Sequence, residues 1–170
     1  MPTVDVLRTY LEMTDPADLG AADPAPDPGG RLEPVRDCPW HFYRYLYAEV
    51  GREYHWRARL SWTEEQFRAH LAGPSTIWLL TVAGAPAGYF ELRAQEDRSV
   101  EIAYFGVLGE FQGRGLGKFL LCRAIAEAWA TRPSRVWLHT CTLDHPGALP
   151  NYLKRGFRKV REERYQVTLP

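Results

Sequence analysis

A single stretch of the chain, residues 100–130, constrains the fold more than any other. It opens with a run of aromatic and β-branched residues, VEIAYFGV, which favours a β-strand. It closes with apolar residues at helical spacings, which indicates a helix over residues 116–130. The segment between them, residues 112–117, reads QGRGLG. The sequence therefore predicts a strand, a glycine-rich turn and a helix in direct succession.

The glycine-rich turn has the properties of an anion-binding site. Glycines let the backbone approach a ligand closely, and the first turn of a helix offers unpaired N–H groups at the positive end of the helix dipole. Arg114 and Lys118 add positive charge on the same turn. A phosphate or pyrophosphate suits this arrangement. The glycines alone also leave open a second interpretation, in which the turn only connects the strand to the helix.

Two well-known phosphate-binding loops do not fit this turn. A P-loop has a glycine where this chain has Gln112, and a serine or threonine where it has Phe119. The dinucleotide fingerprint has its last glycine where Lys118 stands. The pattern that does match is Q-x-x-G-x-G, formed by Gln112, Gly115 and Gly117. In its strand–turn–helix context this pattern resembles the acetyl-coenzyme A motif of the GNAT superfamily, the GCN5-related N-acetyltransferases.

The segments before residue 77 predict one strand, a long loop and two helices. Alternating residues at Val4–Glu12 favour a strand. Residues 14–39 are rich in proline and aspartate, and we expect an inserted loop there because proline removes backbone donors. Helices are predicted at residues 40–50 and 63–71. The aromatic segment between them, residues 53–62, is either a small core cluster or a wall of the acceptor pocket.

The segments from residue 77 onwards predict an antiparallel meander followed by a parallel strand. Three strands joined by short turns are predicted at residues 77–82, 87–93 and 100–107. A strand at residues 135–142 follows the central helix, and this helical crossover makes it parallel to the last strand of the meander. A short helix at residues 147–155 comes next. A final hairpin is expected from residues 157–160 and 165–169.

The predicted order of elements, β-α-α-β-β-β-α-β-α-β-β, is that of the GNAT fold. The resemblance covers residues 40–169 and implies an α/β protein with a mixed sheet of about seven strands and helices on both faces. It also implies a V-shaped splay between the fourth and fifth strands. In the family the backbone amides of the glycine turn hold the coenzyme A pyrophosphate. The resemblance thus assigns cofactor binding to Gln112, Gly113, Arg114, Gly115, Leu116, Gly117 and Lys118.

Glu101 is the first candidate for a catalytic residue. It is a carboxylate inside an apolar strand, and burial would raise its pKa toward that of a usable base. A solvated glutamate at a strand end is the alternative. In the histone-type branch of the GNAT family, a glutamate at the same distance before the motif glutamine is the general base. The resemblance therefore implies that Glu101 takes a proton from the acceptor amine, directly or through water.

Tyr152 is the second candidate, in the run YLKRGF. This run resembles the family signature Y-x-x-x-G-F, whose tyrosine protonates the departing thiolate; a tyrosine that only packs is the alternative. His145 stands where the family often has an asparagine that contacts the pantetheine. The resemblance also implies that the Val107 amide donates a hydrogen bond to the acetyl oxygen. Because side chains alternate along a strand, Phe105 and Val107 should lie on the same face of the sheet.

Composition restricts the remaining function classes. The chain of 170 residues has zero net charge, so residues 1–170 are expected to form one domain without a general attraction to nucleic acid or membranes. No signal-like start or membrane-length apolar run is present. Three scattered cysteines, without metal-ligand spacing, indicate reduced thiols, a cytoplasmic location and no metal site. Cys141 is expected to be an inert thiol rather than a nucleophile.

The resemblance implies an N-acetyltransferase that moves the acetyl group of acetyl-coenzyme A to a primary amine by direct attack in a ternary complex. The acceptor is a small molecule or a peptide, and the resemblance allows a homodimer. A non-catalytic acyl-coenzyme A sensor or scaffold of the same fold is the alternative. For the acceptor, Glu91 and Glu101 could attract a cation. Trp56 and Trp62 could hold an aromatic or quaternary group.

Overall fold

The structure, a computed structural model, describes residues 1–19 and 29–169. The described residues form one seven-stranded mixed sheet, in the order β2-β3-β4-β5-β6-β1-β7. Its strands are β1 (Thr3–Met13), β2 (Gly30–Pro34), β3 (Ser75–Val82), β4 (Ala85–Ala94), β5 (Val100–Val107), β6 (Val136–Cys141) and β7 (Arg158–Thr168). The α-helices are α1 (Trp40–Val50), α2 (Glu64–Leu71), α3 (Leu116–Ala130) and α4 (Ala148–Lys154). This arrangement confirms the predicted α/β class.

Helices cover both faces of the sheet, as predicted. On β4, Phe90 and Leu92 belong to the core cluster that includes the buried residues of α3, and we call this side the back face. Tyr89, on the opposite side of β4, belongs to the cluster formed with α1 and α2, and we call that side the front face. Because side chains alternate along β4, this strand contributes residues to two separate cores, one on each face of the sheet.

A β-bulge in β5 changes which way its side chains point. Ala103 lies between the paired residues Ile102 and Tyr104 and has no partner in β4. Because the bulge inserts one residue, Glu101 faces the front and Phe105 faces the back. In an unbroken strand, residues four positions apart would share a face.

The strands β5 and β6 separate soon after they begin. They pair in parallel only at Val100–Val136 and Glu101–Trp137. Every other neighbouring pair in the sheet is antiparallel. This divergence is the predicted V-shaped splay, between the strands counted as fourth and fifth in the sequence prediction. It opens the sheet beside the end of β5.

Two predictions about the edges of the sheet are wrong. Residues 30–34, predicted as loop, form the edge strand β2, where Pro34 is tolerated at the strand end because an edge needs fewer donors. Residues 20–28 of that predicted loop lie outside the described residues. The predicted C-terminal hairpin is instead the single strand β7, which pairs with β1. Its charged residues 161–164 are exposed along an edge, where charge is well tolerated.

No helix in the described part of the chain is long and apolar enough to cross a membrane. The cysteines, Cys38, Cys122 and Cys141, are partly buried free thiols.

Candidate active site

A cleft of about 1140 Å³ lies in the gap between β5 and β6. Its lining includes Ile102 and Leu138, which have buried side chains on the back face. It also includes Tyr104 and His139, which face the front. The cleft therefore passes through the sheet, and a group inside it is accessible from both faces.

The glycine-rich turn lies at one end of this cleft, with Gly113 and Gly117 in the lining. Gly113 has φ 76° and Gly115 has φ 77°, a region that favours glycine. A Cβ atom at Gly113, Gly115 or Gly117 would meet no atom within 4 Å. Helix α3 begins at Leu116 without a side-chain cap. The turn thus combines free space with the N–H groups of an uncapped helix, which is the geometry that anions bind.

Most of the predicted cofactor contacts lie in the cleft. Those in its lining are Phe105, Val107, Gln112, Gly113, Gly117, Lys118 and His145. Arg114, Gly115 and Leu116 are not in the lining. The Arg114 guanidinium donates a hydrogen bond to the Glu110 carbonyl at 3.2 Å and lies over the Phe111 ring. Leu116 packs in the core with 2% of its surface exposed, so only its backbone is available to a ligand.

Tyr54 bridges the two sides of the cleft mouth, and sequence reasoning missed it. The Gln112 Nε2 atom donates to the Tyr54 hydroxyl at 3.0 Å and to the Val107 carbonyl at 3.3 Å. The Tyr54 ring also contacts the His145 ring, with centroids 6.2 Å apart. The aromatic content of residues 53–62 was the only sign of this role. Gln112 therefore links the glycine turn, the end of β5 and the segment after α1.

Tyr152 lies inside the cleft on the back face, where it is 7% exposed. Its ring packs against Phe105 and Phe157, at centroid distances of 6.4 and 6.2 Å. Burial, with the nearby charge of Asp144, raises the pKa of Tyr152 above its usual value. The hydroxyl is therefore protonated at neutral pH and available to donate.

Glu101 lies beside the cleft but does not line it. Its carboxylate accepts a hydrogen bond from Gln95 Nε2 at 3.0 Å. Its other oxygen is 4.0 Å from the Nε2 atom of His139, which does line the cleft. Burial raises the pKa of Glu101, and the charge of Arg93 opposes that rise. The predicted base is thus close to the site, with a second titratable group between it and the open space.

The aromatic segment after α1 divides into a pocket wall and a core. Trp56 lines the front of the cleft with Tyr47 and Tyr104, at ring-centroid distances of 4.8 to 5.6 Å. Trp62 is not in the lining and packs against Phe67, 5.4 Å away. The expected pocket role therefore fits Trp56 and is wrong for Trp62.

Glu91 is fully buried and already paired within the protein. Its carboxylate accepts a hydrogen bond from Arg59 at 2.8 Å and contacts His70. Although burial would raise its pKa, the His70 hydrogen bond and the Arg59 charge hold the pKa of Glu91 below its usual value. Arg59 also lies 4.4 Å from the centre of the Tyr104 ring. The expectation that Glu91 attracts a substrate cation is therefore wrong, because Arg59 neutralises it and anchors residues 52–62 to the sheet.

Cys141 lines the cleft but lacks the surroundings of a nucleophile. Burial and the negative charge of Asp144 raise the pKa of the thiol. Asp144 accepts hydrogen bonds from the Thr140 hydroxyl at 2.5 Å and the Cys141 amide at 2.9 Å. The carboxylate thus orders the loop after β6, and the thiol remains protonated.

The comparison with known families decides the identity. The family described as "Acetyltransferase (GNAT) family" matches residues 33–157, most of the chain. The chain belongs to the GNAT acetyltransferase family. The family is one of acetyltransferases. No curated protein matches the sequence.

Solved GNAT structures share the fold at low identity. A GCN5-related N-acetyltransferase from Kribbella flavida is 20% identical with a TM-score of 0.65, covering 96% of this chain and 58% of its own. One from Sphaerobacter thermophilus is 17% identical with a TM-score of 0.63, covering 98% and 52%. The ribosomal-protein-S18-alanine N-acetyltransferase from Escherichia coli is 17% identical with a TM-score of 0.61, covering 78% and 79%. The chain thus spans less than two thirds of the first two, and these likenesses concern the fold.

Proposed function

We propose that this GNAT protein transfers the acetyl group of acetyl-coenzyme A to a primary amine, by direct attack in a ternary complex. The observation that carries the proposal is the cleft through the sheet. It has an anion-binding turn at one end, Tyr152 on the back face and an aromatic opening on the front. A cleft of this form lets two substrates meet from opposite faces without a covalent enzyme intermediate.

The residues at the turn fit coenzyme A. Its pyrophosphate would bind the amides of residues 113–118, where the structure has free space and an uncapped helix. Lys154 and Arg155 line the same cleft and offer charge to a further phosphate. Phe105 and His145 would contact the pantetheine. Acetyl-coenzyme A supplies an acetyl group activated as a thioester, and we assign its carbonyl oxygen to the Val107 amide.

The protein's own contribution to the chemistry is proton transfer. The acceptor amine arrives largely as ammonium, because alkyl amines titrate near pH ~10. We assign its deprotonation to Glu101 on the front face. Since Glu101 does not line the cleft, this proton reaches it through an intermediate group. As the new C–N bond forms and the C–S bond breaks, Tyr152 gives its proton to the departing sulfur and later recovers one from water.

The front opening suggests the kind of acceptor. Tyr47, Trp56 and Tyr104 offer flat apolar surface beside the amine position. A small amine with an apolar body or a peptide N-terminus would fit such a surface. The Escherichia coli structure of similar fold carries the name of an enzyme acting on an alanine of ribosomal protein S18, which supports including peptides in the search.

The test is an acceptor screen with acetyl-coenzyme A, reading the release of free coenzyme A thiol and the mass of the product. The panel should contain alkyl amines, aromatic amines, amino acids and peptides with free N-termini. Acetylation of at least one amine supports the proposal. If acetyl-coenzyme A binds tightly and no amine is acetylated, the protein is a non-catalytic acyl-coenzyme A sensor or scaffold instead.

A further inference from the structure

We infer that His139 is a further catalytic residue, which accepts the proton of the acceptor amine and passes a proton on to Glu101. This inference rests on the proposed acetyl transfer and adds the group through which its proton leaves. It assigns a role to a histidine on the strand across the gap from Glu101.

The two side chains meet at the apex of the splay. Glu101 pairs with Trp137 in the last rung between β5 and β6. His139 is two positions further along β6 and therefore lies on the same face as Trp137. From that position His139 lines the cleft with 38% of its side chain exposed, whereas Glu101 is 14% exposed and outside the lining. Any group in the front part of the cleft thus meets the imidazole before the carboxylate.

The separation between the two groups suits a relay. His139 Nε2 is 4.0 Å from the nearer Glu101 oxygen, which is too long for a direct hydrogen bond. A small rotation of the ring or one bridging water closes such a distance. The Tyr10 ring packs beside the imidazole, with centroids 5.5 Å apart, and limits the positions that the ring can take.

The surroundings of His139 favour its neutral form, chiefly through burial. Burial, together with the positive charge of Arg8 on β1, lowers its pKa. Asp144 after β6 and Glu163 on β7 oppose this shift. Glu101 on β5 is a further acid near the ring, 4.0 Å from its Nε2 atom. An imidazole with a lowered pKa has a free lone pair near neutrality, which is what a proton acceptor needs.

The relay moves one proton from the acceptor amine to solvent through two side chains. The ammonium form of the acceptor loses a proton to Nδ1 of His139, the nitrogen left with a lone pair when Nε2–H faces Glu101. The Nε2 proton moves to the Glu101 carboxylate. The freed amine lone pair then forms the bond to the acetyl carbon. The second nitrogen proton is lost to water as the C–S bond breaks, and it balances the proton that Tyr152 gives to sulfur and recovers from water. After product leaves, Glu101 releases its proton to solvent and the ring returns to its starting tautomer.

A first experiment needs no substrate. The ring protons of His139, assigned by their loss in His139→Gln, are titrated by NMR in the ligand-free protein. Glu101→Gln should lower the pKa of His139 by about 1 unit, because it removes an opposite charge within reach of the imidazolium. An unchanged titration would show that the two groups are not coupled and would overturn the relay.

A second experiment uses an accepted amine. His139→Gln and His139→Asn should each lower kcat/KM by about 10²- to 10⁴-fold and remove the acidic limb of the pH profile, because only neutral His139 accepts a proton. His41→Gln, an exposed histidine on α1 outside the cleft, is the matched control and should behave as wild type. Circular dichroism confirms that each variant is folded.

The double variant separates a relay from two independent roles. If Glu101 acts through His139, adding Glu101→Gln to His139→Gln should cost little further activity. If the loss of rate in the double variant equals the product of the two single losses, the inference is overturned. A wild-type rate and pH profile in His139→Gln would also overturn it. Both results leave the proposed acetyl transfer intact. A wild-type protein that acetylates no amine would instead refute the proposed function, and the NMR titration would still decide the coupling.

Discussion

Replacing Gly117 by aspartate should weaken acetyl-coenzyme A binding without destabilising the protein. Gly117 is the second residue of α3, lines the cleft and has no atom within 4 Å of where a Cβ would stand. Because its φ is not in the left-handed region, the new side chain adds no backbone strain. Its carboxylate would occupy the space in front of the helix amides, where we place the pyrophosphate.

The expected magnitudes follow from that position. Two like charges about 4 Å apart repel by about 1 kcal/mol in water and about 4 kcal/mol at an effective dielectric constant near 20. The cleft lies between these limits, so affinity should fall by about 5- to 1000-fold. Stability should stay level or rise by up to about 1 kcal/mol, because glycine is a poor helix residue and an acid near a helix N-terminus is favourable.

Titration calorimetry measures the loss of binding, and urea denaturation measures the stability. Gly109→Asp is the matched control, since Gly109 also has free space for a Cβ and an ordinary φ but lies outside the cleft lining. It should bind acetyl-coenzyme A as wild type does. Wild-type affinity in Gly117→Asp would refute the assignment of the phosphate site to this turn, and so would an equal loss in both variants.

Three further predictions concern other residues. Tyr152→Phe should lower the single-turnover rate by about 10²- to 10⁴-fold while acetyl-coenzyme A still binds, and an unchanged rate would contradict its role as acid. Glu91→Gln should lower the free energy of unfolding, measured by urea denaturation, by about 3–5 kcal/mol, because it leaves the buried Arg59 charge unpaired. The surface variant Glu64→Gln should lower it by at most about 0.5 kcal/mol. The pKa of Glu91 is lowered in the folded protein, so its ionised form stabilises the fold above the unfolded pKa of about 4.3. This stabilisation is lost as the pH falls through the folded pKa. A Glu91→Gln protein that keeps the acid sensitivity of wild type would contradict this. We also propose that the protein works in the reducing cytoplasm; titration of denatured, unreduced protein should then find all the cysteines as thiols, and a disulfide would contradict that location.

The local parts of the fold could be predicted from the sequence because local patterns determine them. The strand, turn and helix at residues 100–130 appear as predicted, since the glycines and the apolar spacing act within a few residues. Helix α2 begins close to its predicted start at residue 63, because Thr63 and Gln66 form a capping box there. The parallel pairing of β5 and β6 followed from the crossover rule, so the position of the cleft was within reach of sequence reasoning.

The remaining features depend on contacts between distant segments. Nothing in the run VEIAYFGV marks Ala103 as a bulge, because the bulge exists only in the pairing with β4. Without it, the opposite orientation of Glu101 and Phe105 could not be predicted. His139 is far from Glu101 in the chain and meets it only across the gap. Likewise β7 continues through its charged residues because β1 pairs with it on both sides of a single irregularity at Val160.

The most direct test of the central claim is a single-turnover experiment on the wild-type protein with ¹³C-acetyl-coenzyme A and an accepted amine. Intact-protein and product masses are followed from the first turnover. Direct attack in a ternary complex predicts that the label appears on the amine only when both substrates are bound, and that no acetyl group is ever added to the protein. A labelled acetyl-protein that forms without the amine and then passes its label on, for example from Cys141, would contradict the account.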